Sequence, residues 1–526
     1  MQSCGQTASE KMYTIKRSHV AHRLYKNAIA LGATQVLNTV GSLLLVPLFL
    51  SHWSKELYGE WMALAALAAY YSTADVGMNR AAGNALIKAY QRDEKEQYRE
   101  MQASALLFYI SMALAMTLIA VITCWLLPLA KWLGVVCIPR GTAALVMCLL
   151  GSRIVWTMPA GQIWNIFRTT GDLSTSQWIV NLQALGIMGA TAAVLCLGGG
   201  VATLAAWTWC PLFACVFLAW LLVRHSHPDL LPTLRASSVN GVTSLVRPSL
   251  WFASMMVAMV INVNGPVILV AHALGGAAVA ALVTTRTIAN AAAQVPTILC
   301  WALWPELTRL EAVGDKVALR SGHNLLVAAY IAISVAFVGC LWWEGQGFID
   351  FWTRRHLSVE PWLVRTFLLY VLLQAPWVAS SMVAGATNRH RRLALCQLLG
   401  GIGGVVFVAV LLPSLKLVAV PLGLLAGESL TCYHFVIADA CRLVKTPYSR
   451  FARRVWFTVA LVTTLAVSVS AIGHSLPISF LPLRAAASGI ASALIAAVGV
   501  WKLLLEEPER RLVSECFTRL VRLPAV

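Results

Sequence analysis

The sequence predicts an all-α fold: a polytopic membrane helix bundle of about fourteen transmembrane helices, arranged as two six-helix halves plus a C-terminal pair. Three observations lead there. Of the 526 residues, 59% are apolar and 12% charged, against about 25% charged in a soluble domain; the mean hydropathy is +0.73. Apolar blocks long enough to cross a hydrocarbon layer of ~30 Å recur from end to end. The 40 lysines and arginines gather in alternate loops. This composition excludes an ordinary cytosolic enzyme and a secreted disulfide scaffold.

Fourteen segments qualify, at 28–50, 57–79, 103–128, 142–166, 175–198, 200–223, 248–271, 274–303, 323–344, 362–386, 394–412, 416–440, 455–474 and 485–505. In hydrocarbon the backbone N–H and C=O groups find partners only within the chain, so each segment is expected to be helical. The runs are continuous, without the ten-residue alternation of a barrel. With the N terminus in the cytoplasm, and with Lys416 and Lys502 at the span ends counted with the adjoining loops, the inside segments hold 30 Lys and Arg and the outside loops 7. That bias sets the orientation and puts both ends in the cytoplasm. It accounts for the net charge of +18 without nucleic acid, because the cations lie in separate short loops. The same cations suit anionic membrane lipids. The basic tail (Lys11, Lys16, Arg17, Arg23, Lys26) precedes the first span without an apolar core and cleavage site, so no removable signal peptide is expected.

The predicted organisation is a cytoplasmic basic tail at 1–27, an N-terminal six-helix half at 28–223, a cytoplasmic linker at 224–247, a C-terminal six-helix half at 248–440, a terminal helix pair with its preceding loop at 441–505, and a cytoplasmic tail at 506–526. Each half opens with a span, a very short outside connection, a second span and a polar cytoplasmic segment. Parallel repeats of this kind enclose a substrate site between them near the midplane. The terminal pair either forms an accessory groove or packs on the edge. The charged segment Arg80–Arg99 is read as a helix along the cytoplasmic interface or as a solvated connector. Pro47, Pro159, Pro211, Pro266, Pro296, Pro376 and Pro421 lie inside spans, where each favours a kink. The pairs Gly400/Gly404 and Gly423/Gly427 are read as close packing of spans eleven and twelve.

Several signatures are absent from the sequence. No loop between spans is long enough for a soluble domain. There is no phosphate-binding G-x-x-x-x-G-K-[ST] loop and no His-Glu-x-x-His pair. The 13 cysteines include no Cys-x-x-Cys, most lie inside spans as small apolar residues, and Cys137 alone falls in an outside loop. No catalytic residue, metal site or cofactor is therefore expected. His52, His272 and His474 lie near the outside surface with no partner at a recognisable spacing.

A charge at bilayer depth costs about 2.5–3.5 kcal/mol, so the charges inside spans are the informative residues. Arg286 lies well inside span eight, with Asn290 and Gln294 following at four-residue steps on one helix face. A cation at the head of a polar stripe suits an aqueous interior, and a guanidinium grips phosphate oxygens two at a time; a structural ion pair is the alternative. Arg153 in span four shares a face with Thr157, with Gln162 and Asn165 beyond, and either lines a cavity or snorkels. Arg365, just inside span ten, is read as snorkelling. Asp75 in span two belongs to a Tyr71–Asp75–Asn79 stripe beside Arg80, and Glu428 lies nearer the middle of span twelve; each is a candidate proton or sodium site or a structural partner. Gln35, Asn38 and Ser42 share a face of span one and either line the cavity or bond between helices. Trp342, Trp343, Phe348, Phe351 and Trp352 read as an aromatic belt at headgroup level, or as a sugar platform.

The stretch from Leu57 to Ile87 carries a resemblance. Tyr58-Gly59-x-Trp61, followed some fourteen residues later by Asp75-x-Gly77, resembles the second span of bacterial polysaccharide flippases. These are the O-antigen and exopolysaccharide (Wzx-type) members of the multidrug/oligosaccharidyl-lipid/polysaccharide (MOP) exporter superfamily. The preceding span with Pro47-Leu48 and its short turn is similar too, and the six-plus-six halves agree along most of the chain. Twelve spans are usual in that family, whereas the related peptidoglycan-precursor flippase has fourteen. The resemblance implies a non-enzymatic flippase of the bacterial cytoplasmic membrane. It would move an undecaprenyl-diphosphate-linked oligosaccharide from the inner to the outer leaflet by alternating access. It would be coupled to H+ or Na+ and work beside a polysaccharide polymerase. Within that expectation Arg286 is the first candidate for diphosphate contact and Arg153 the second, with Asn290, Gln294, Gln35 and Asn38 lining the substrate site and Asp75 and Glu428 coupling the cation. A small-molecule antiporter of the same superfamily, a membrane-embedded polysaccharide-modifying enzyme and a scaffold of the export machinery are the alternatives.

Overall fold

The computed structural model describes residues 3–234, 236–387, 391–475, 480–511 and 513–514. The side chains of Lys11, Lys16, Arg17 and Arg23 in the basic tail, and the C-terminal tail beyond 514, lie outside what is described.

Every regular element among the described residues is helical. Among the described residues eleven stretches are long and apolar enough to cross a membrane, and one of these, Arg391–Leu443, holds two helices. The segments predicted at 57–79 and 274–303 bring the total to the fourteen expected. The second of these is the helix Gly276–Val313, 38 residues long. The result is a polytopic helical bundle, as the apolar periodicity requires. Helix ends follow local chemistry: Gly171 and Gly314 close their helices in the left-handed conformation, where the missing Cβ removes the steric cost. The first helix runs from Ser3 to His52 without a break, so the basic tail is its N-terminal extension.

Span two departs from expectation. It is not one helix. An α-helix at Lys55–Ala68 tightens into a 3-10 segment at Ala69–Asp75, then breaks at Val76 (φ 42°) and Gly77 (φ 69°) before a new helix, Met78–Gln91. Tyr71, Asp75 and Asn79 therefore do not form one α-helical stripe. The helix after the break is two-sided, with Lys88 and Tyr90 exposed. It buries Met78, Ala82, Leu86 and Ala89 beside Tyr98, Ala105, Tyr109, Ile166 and Phe167, and a turn at Arg92–Glu94 leads into Lys95–Leu126.

The small-residue pairs of spans eleven and twelve pack as read. A Cβ on Gly427 would lie 2.3 Å from the Gly404 nitrogen and 2.5 Å from the Gly400 oxygen, and one on Gly423 would lie 2.5 Å from the Val408 nitrogen. The backbones of Arg391–Leu415 and Ala419–Leu443 thus touch directly, the contact geometry that drives association where lipid removes the hydrophobic effect.

The chain divides into two compact units. One comprises Met1–Leu48, Leu67–Ala130 and Ile138–Ala253; the other comprises Phe49–Ala66, Lys131–Cys137 and Ser254–Val526. In the first unit, the first span is tied to the fifth through Thr34, which donates to Asn181 at 2.7 Å and accepts from Gln177 at 2.8 Å. In the second, the terminal helices are joined to the end of span nine by Glu344, which is buried and paired with His474 (2.7 Å) and Arg484 (2.6 Å).

Candidate substrate and coupling sites

The Tyr-Gly-x-Trp motif belongs to the second unit. Its purpose there is close approach. A Cβ on Gly59 would sit 1.7 Å from the carbonyl oxygen of Gly276, and one on Gly276 would sit 2.5 Å from that of Glu56; only glycines allow these helix starts to touch. Tyr58 stacks on Phe49, with ring centroids 5.1 Å apart, and Trp61 meets Trp53 edge-on at 6.0 Å. Glu60, 3% exposed, accepts from the backbone N–H groups of Val136 (2.7 Å) and Cys137 (2.8 Å), pinning the loop after span three. The Cys137 thiol is raised above its ordinary pKa, first by burial and then by the Glu60 carboxylate.

Arg286 follows a fully buried run, Val279 to Thr285. It is partly exposed, and its Nη1 donates to the Val263 carbonyl of span seven at 2.5 Å. No described carboxylate stands within ion-pair distance of it. Asn290 is exposed and Gln294 partly exposed on the same helix, as the four-residue spacing predicts.

Glu428 occupies a different environment. It is 2% exposed and accepts from Tyr370 (2.7 Å), Gln374 (2.8 and 2.9 Å), Trp377 (3.1 Å) and Asn262 (3.2 Å). All four donors are neutral. The donors match the lone pairs of a buried carboxylate that has no described cation beside it.

In the first unit, Arg153 is partly exposed, and its Nε is buried without a hydrogen-bond acceptor. Gln162 and Asn165 on the same helix donate to Asn79 at 3.4 and 2.8 Å. Gln35 is partly exposed and Asn38 exposed on the first helix. Asp75 accepts from the Tyr109 hydroxyl, in a short hydrogen bond, and from the Asn79 backbone N–H at 3.3 Å. It thus bridges the break in span two, and Gly77 supplies the left-handed turn beside it: this is the structural content of Asp-x-Gly. The Arg80 side chain lies outside what the structure describes.

Sequence reasoning missed Asn262, Tyr370, Gln374 and Trp377 as site residues. Tyr370, Gln374 and Trp377 stand at steps of four and three on one face of span ten, a polar stripe that the spacing alone could have revealed. Asn262 carried no such signal. The histidines expected near the outside surface have partners: His474 pairs with Glu344, His272 Nδ1 lies 2.7 Å from the Trp132 carbonyl oxygen, and His52 Nδ1 lies 3.0 Å from the Ser51 hydroxyl.

No family model matches the chain, and no curated protein matches it. Solved structures do. The lipid II flippase MurJ in an inward closed conformation aligns with a TM-score of 0.66 at 13% identity over 94% of this chain and 99% of its own. An inward-facing multidrug resistance MATE family transporter of the MOP superfamily gives 0.65 at 14% identity over 77% and 96%. A MOP superfamily transporter from Pyrococcus furiosus, described as having a binding pocket of reversed polarity, gives 0.56 at 12% identity over 80% and 95%. The chain therefore has the fold of these transporters.

Proposed function

We propose that this protein is a flippase that moves a polyprenyl-diphosphate-linked oligosaccharide from the inner to the outer leaflet of the bacterial cytoplasmic membrane. The observation that carries the reading is Arg286, a partly exposed guanidinium deep in a span, anchored to a backbone carbonyl, with no described carboxylate to neutralise it. A diphosphate crossing a low-dielectric zone needs a fixed cation, because the Coulomb attraction there far exceeds its value in water. Arg286 contacts the diphosphate, Arg153 offers a second guanidinium, and Asn290, Gln294, Gln35 and Asn38 bond to the sugar and phosphate oxygens. Glu428, with its four neutral donors, exchanges H+ or Na+; Asp75 is the second coupling candidate. Both termini are cytoplasmic, and a polysaccharide polymerase consumes the product. The likeness to a lipid II flippase along 94% of the chain supports a lipid-linked substrate; its O-antigen or exopolysaccharide kind rests on the resemblance of the Tyr58–Gly77 motif.

The experiment is complementation. A deletion strain accumulates diphosphate-linked repeat units on the cytoplasmic leaflet, wild-type protein clears them, and Arg286→Ala does not, although it reaches the membrane in equal amount. Clearance by Arg286→Ala at the wild-type rate refutes the assignment.

A second reading, a small-molecule antiporter, draws on the MATE likeness and on Glu428, which would serve proton antiport equally well. Drug-susceptibility profiles separate the two: a deletion that sensitises cells to cationic drugs and leaves surface polysaccharide intact favours the antiporter.

A further inference from the structure

Arg365, read from the sequence as snorkelling, has a defined setting near the start of span ten. It lies in the second turn of the helix Pro361–Ala386, inside a cage of indoles. Its guanidinium carbon is 4.9 Å from the Trp343 ring centroid, 5.1 Å from that of Trp362 and 5.9 Å from that of Trp342. Its Nε donates to the Trp342 carbonyl at 3.1 Å. A guanidinium has five N–H donors, and the four on Nη1 and Nη2 meet no acceptor among the described residues. Cation–π attraction holds the charge without neutralising it or bonding its hydrogens, and a cation near a helix N-terminus has the wrong sign for the helix dipole.

The acids nearby do not complete the site. Glu344 is buried and committed to His474 and Arg484. Asp350 and Glu360, on the same connection, form no ion pair with Arg365. That connection instead adds cations: Arg354 and Arg355 are exposed and left-handed (φ 52° and 62°) at the end of the short helix Gly345–Trp352. Trp362 is 55% exposed and Phe351 59%, so the cage opens on an aromatic rim of the kind found at headgroup depth.

We propose that Arg365, held by Trp342, Trp343 and Trp362, binds the phosphate group of a membrane lipid. The indoles orient the guanidinium plane, leaving its Nη edge free for bidentate contact with two phosphate oxygens. The cage selects phosphate carried at the interface, where acyl chains run past Trp362 and Phe351. The proposal stands whether or not the protein is a flippase.

Native mass spectrometry of the purified full chain in detergent tests it, with phosphatidylglycerol, diacylglycerol and inorganic phosphate as probes. Wild-type protein should retain phosphatidylglycerol about tenfold more tightly than Arg365→Gln, the loss expected for one charge-assisted pair. Diacylglycerol should show no difference between the two proteins. Arg365→Lys should fall between them, and Trp362→Ala, which keeps the cation but opens the cage, should also weaken retention. Trp362→Ala carries the test if Arg365→Gln fails to fold. Equal retention by wild type and either variant overturns the proposal. Displacement of the lipid by millimolar inorganic phosphate, with acyl chains making no difference, overturns the lipid as the source.

Discussion

Gly59 and Gly276 meet backbone to backbone: a Cβ on the first would fall 1.7 Å from the carbonyl oxygen of the second. Neither neighbour is a flexible side chain that can turn away, so the helices themselves must part. Gly59→Ala should destabilise the protein by about 3 kcal/mol, the upper range for overpacking, as should Gly276→Ala. The double variant should cost little more than either single one, since both open the same contact. Thermal unfolding in detergent measures all three, and additive losses would show that the contact is not shared.

The break in span two stores strain that can be released. Val76 is β-branched and left-handed, a conformation costing on the order of 1–3 kcal/mol. Val76→Gly should raise stability by about 1 kcal/mol, while Gly77→Ala, at φ 69°, should lower it by a similar amount. A decrease in melting temperature for Val76→Gly would mean that the valine side chain contributes more than its backbone costs.

Glu428 discriminates carboxylate from amide. Every group aimed at it is a donor, so Glu428→Gln would set its own NH2 against Gln374, Trp377 or Tyr370 and leave donors unpaired. The expected cost is about 1–3 kcal/mol, with loss of any cation dependence of stability. Melting curves at several sodium and proton concentrations check both; a fully stable Glu428→Gln protein with unchanged ion dependence removes Glu428 from coupling.

Cys137 reports orientation. It is exposed on a loop expected outside, and slight desolvation together with the Glu60 carboxylate raises its thiol pKa. A raised pKa means less thiolate at neutral pH and more as pH climbs. A membrane-impermeant maleimide added to intact cells should label wild type slowly at pH 7 and faster at pH 9. Glu60→Gln should speed labelling at pH 7, and Cys137→Ser should remove that component. Labelling of Cys137 only after the cells are opened would reverse the topology.

Much of the fold was legible because the bilayer leaves the backbone so few choices. The number of spans, their helicity and the small-residue packing of Gly400/Gly404 on Gly423/Gly427 all follow from composition and spacing. The break at Val76–Gly77 was not legible, since an apolar run says nothing about two consecutive left-handed residues. Arg286 and Glu428 stood out because isolated charges in apolar sequence are costly. Their partners did not: Asn262 and Tyr370 are ordinary span residues until helices distant in sequence bring them together. The cage around Arg365 stayed hidden for the same reason, its tryptophans reading as a generic aromatic belt.

The central claim is that the guanidinium of residue 286 receives a diphosphate. Binding of a polyprenyl-diphosphate-linked oligosaccharide to the purified protein, compared among wild type, Arg286→Lys and Arg286→Ala, tests it most directly. The prediction is a loss of about ten- to hundredfold in affinity for Arg286→Ala, the effect of removing one charge-assisted bidentate contact. Arg286→Lys should lie between, and binding of the matching polyprenol without its diphosphate should be the same in all three proteins. Equal diphosphate-lipid affinities across the three, with the fold intact, would contradict the account.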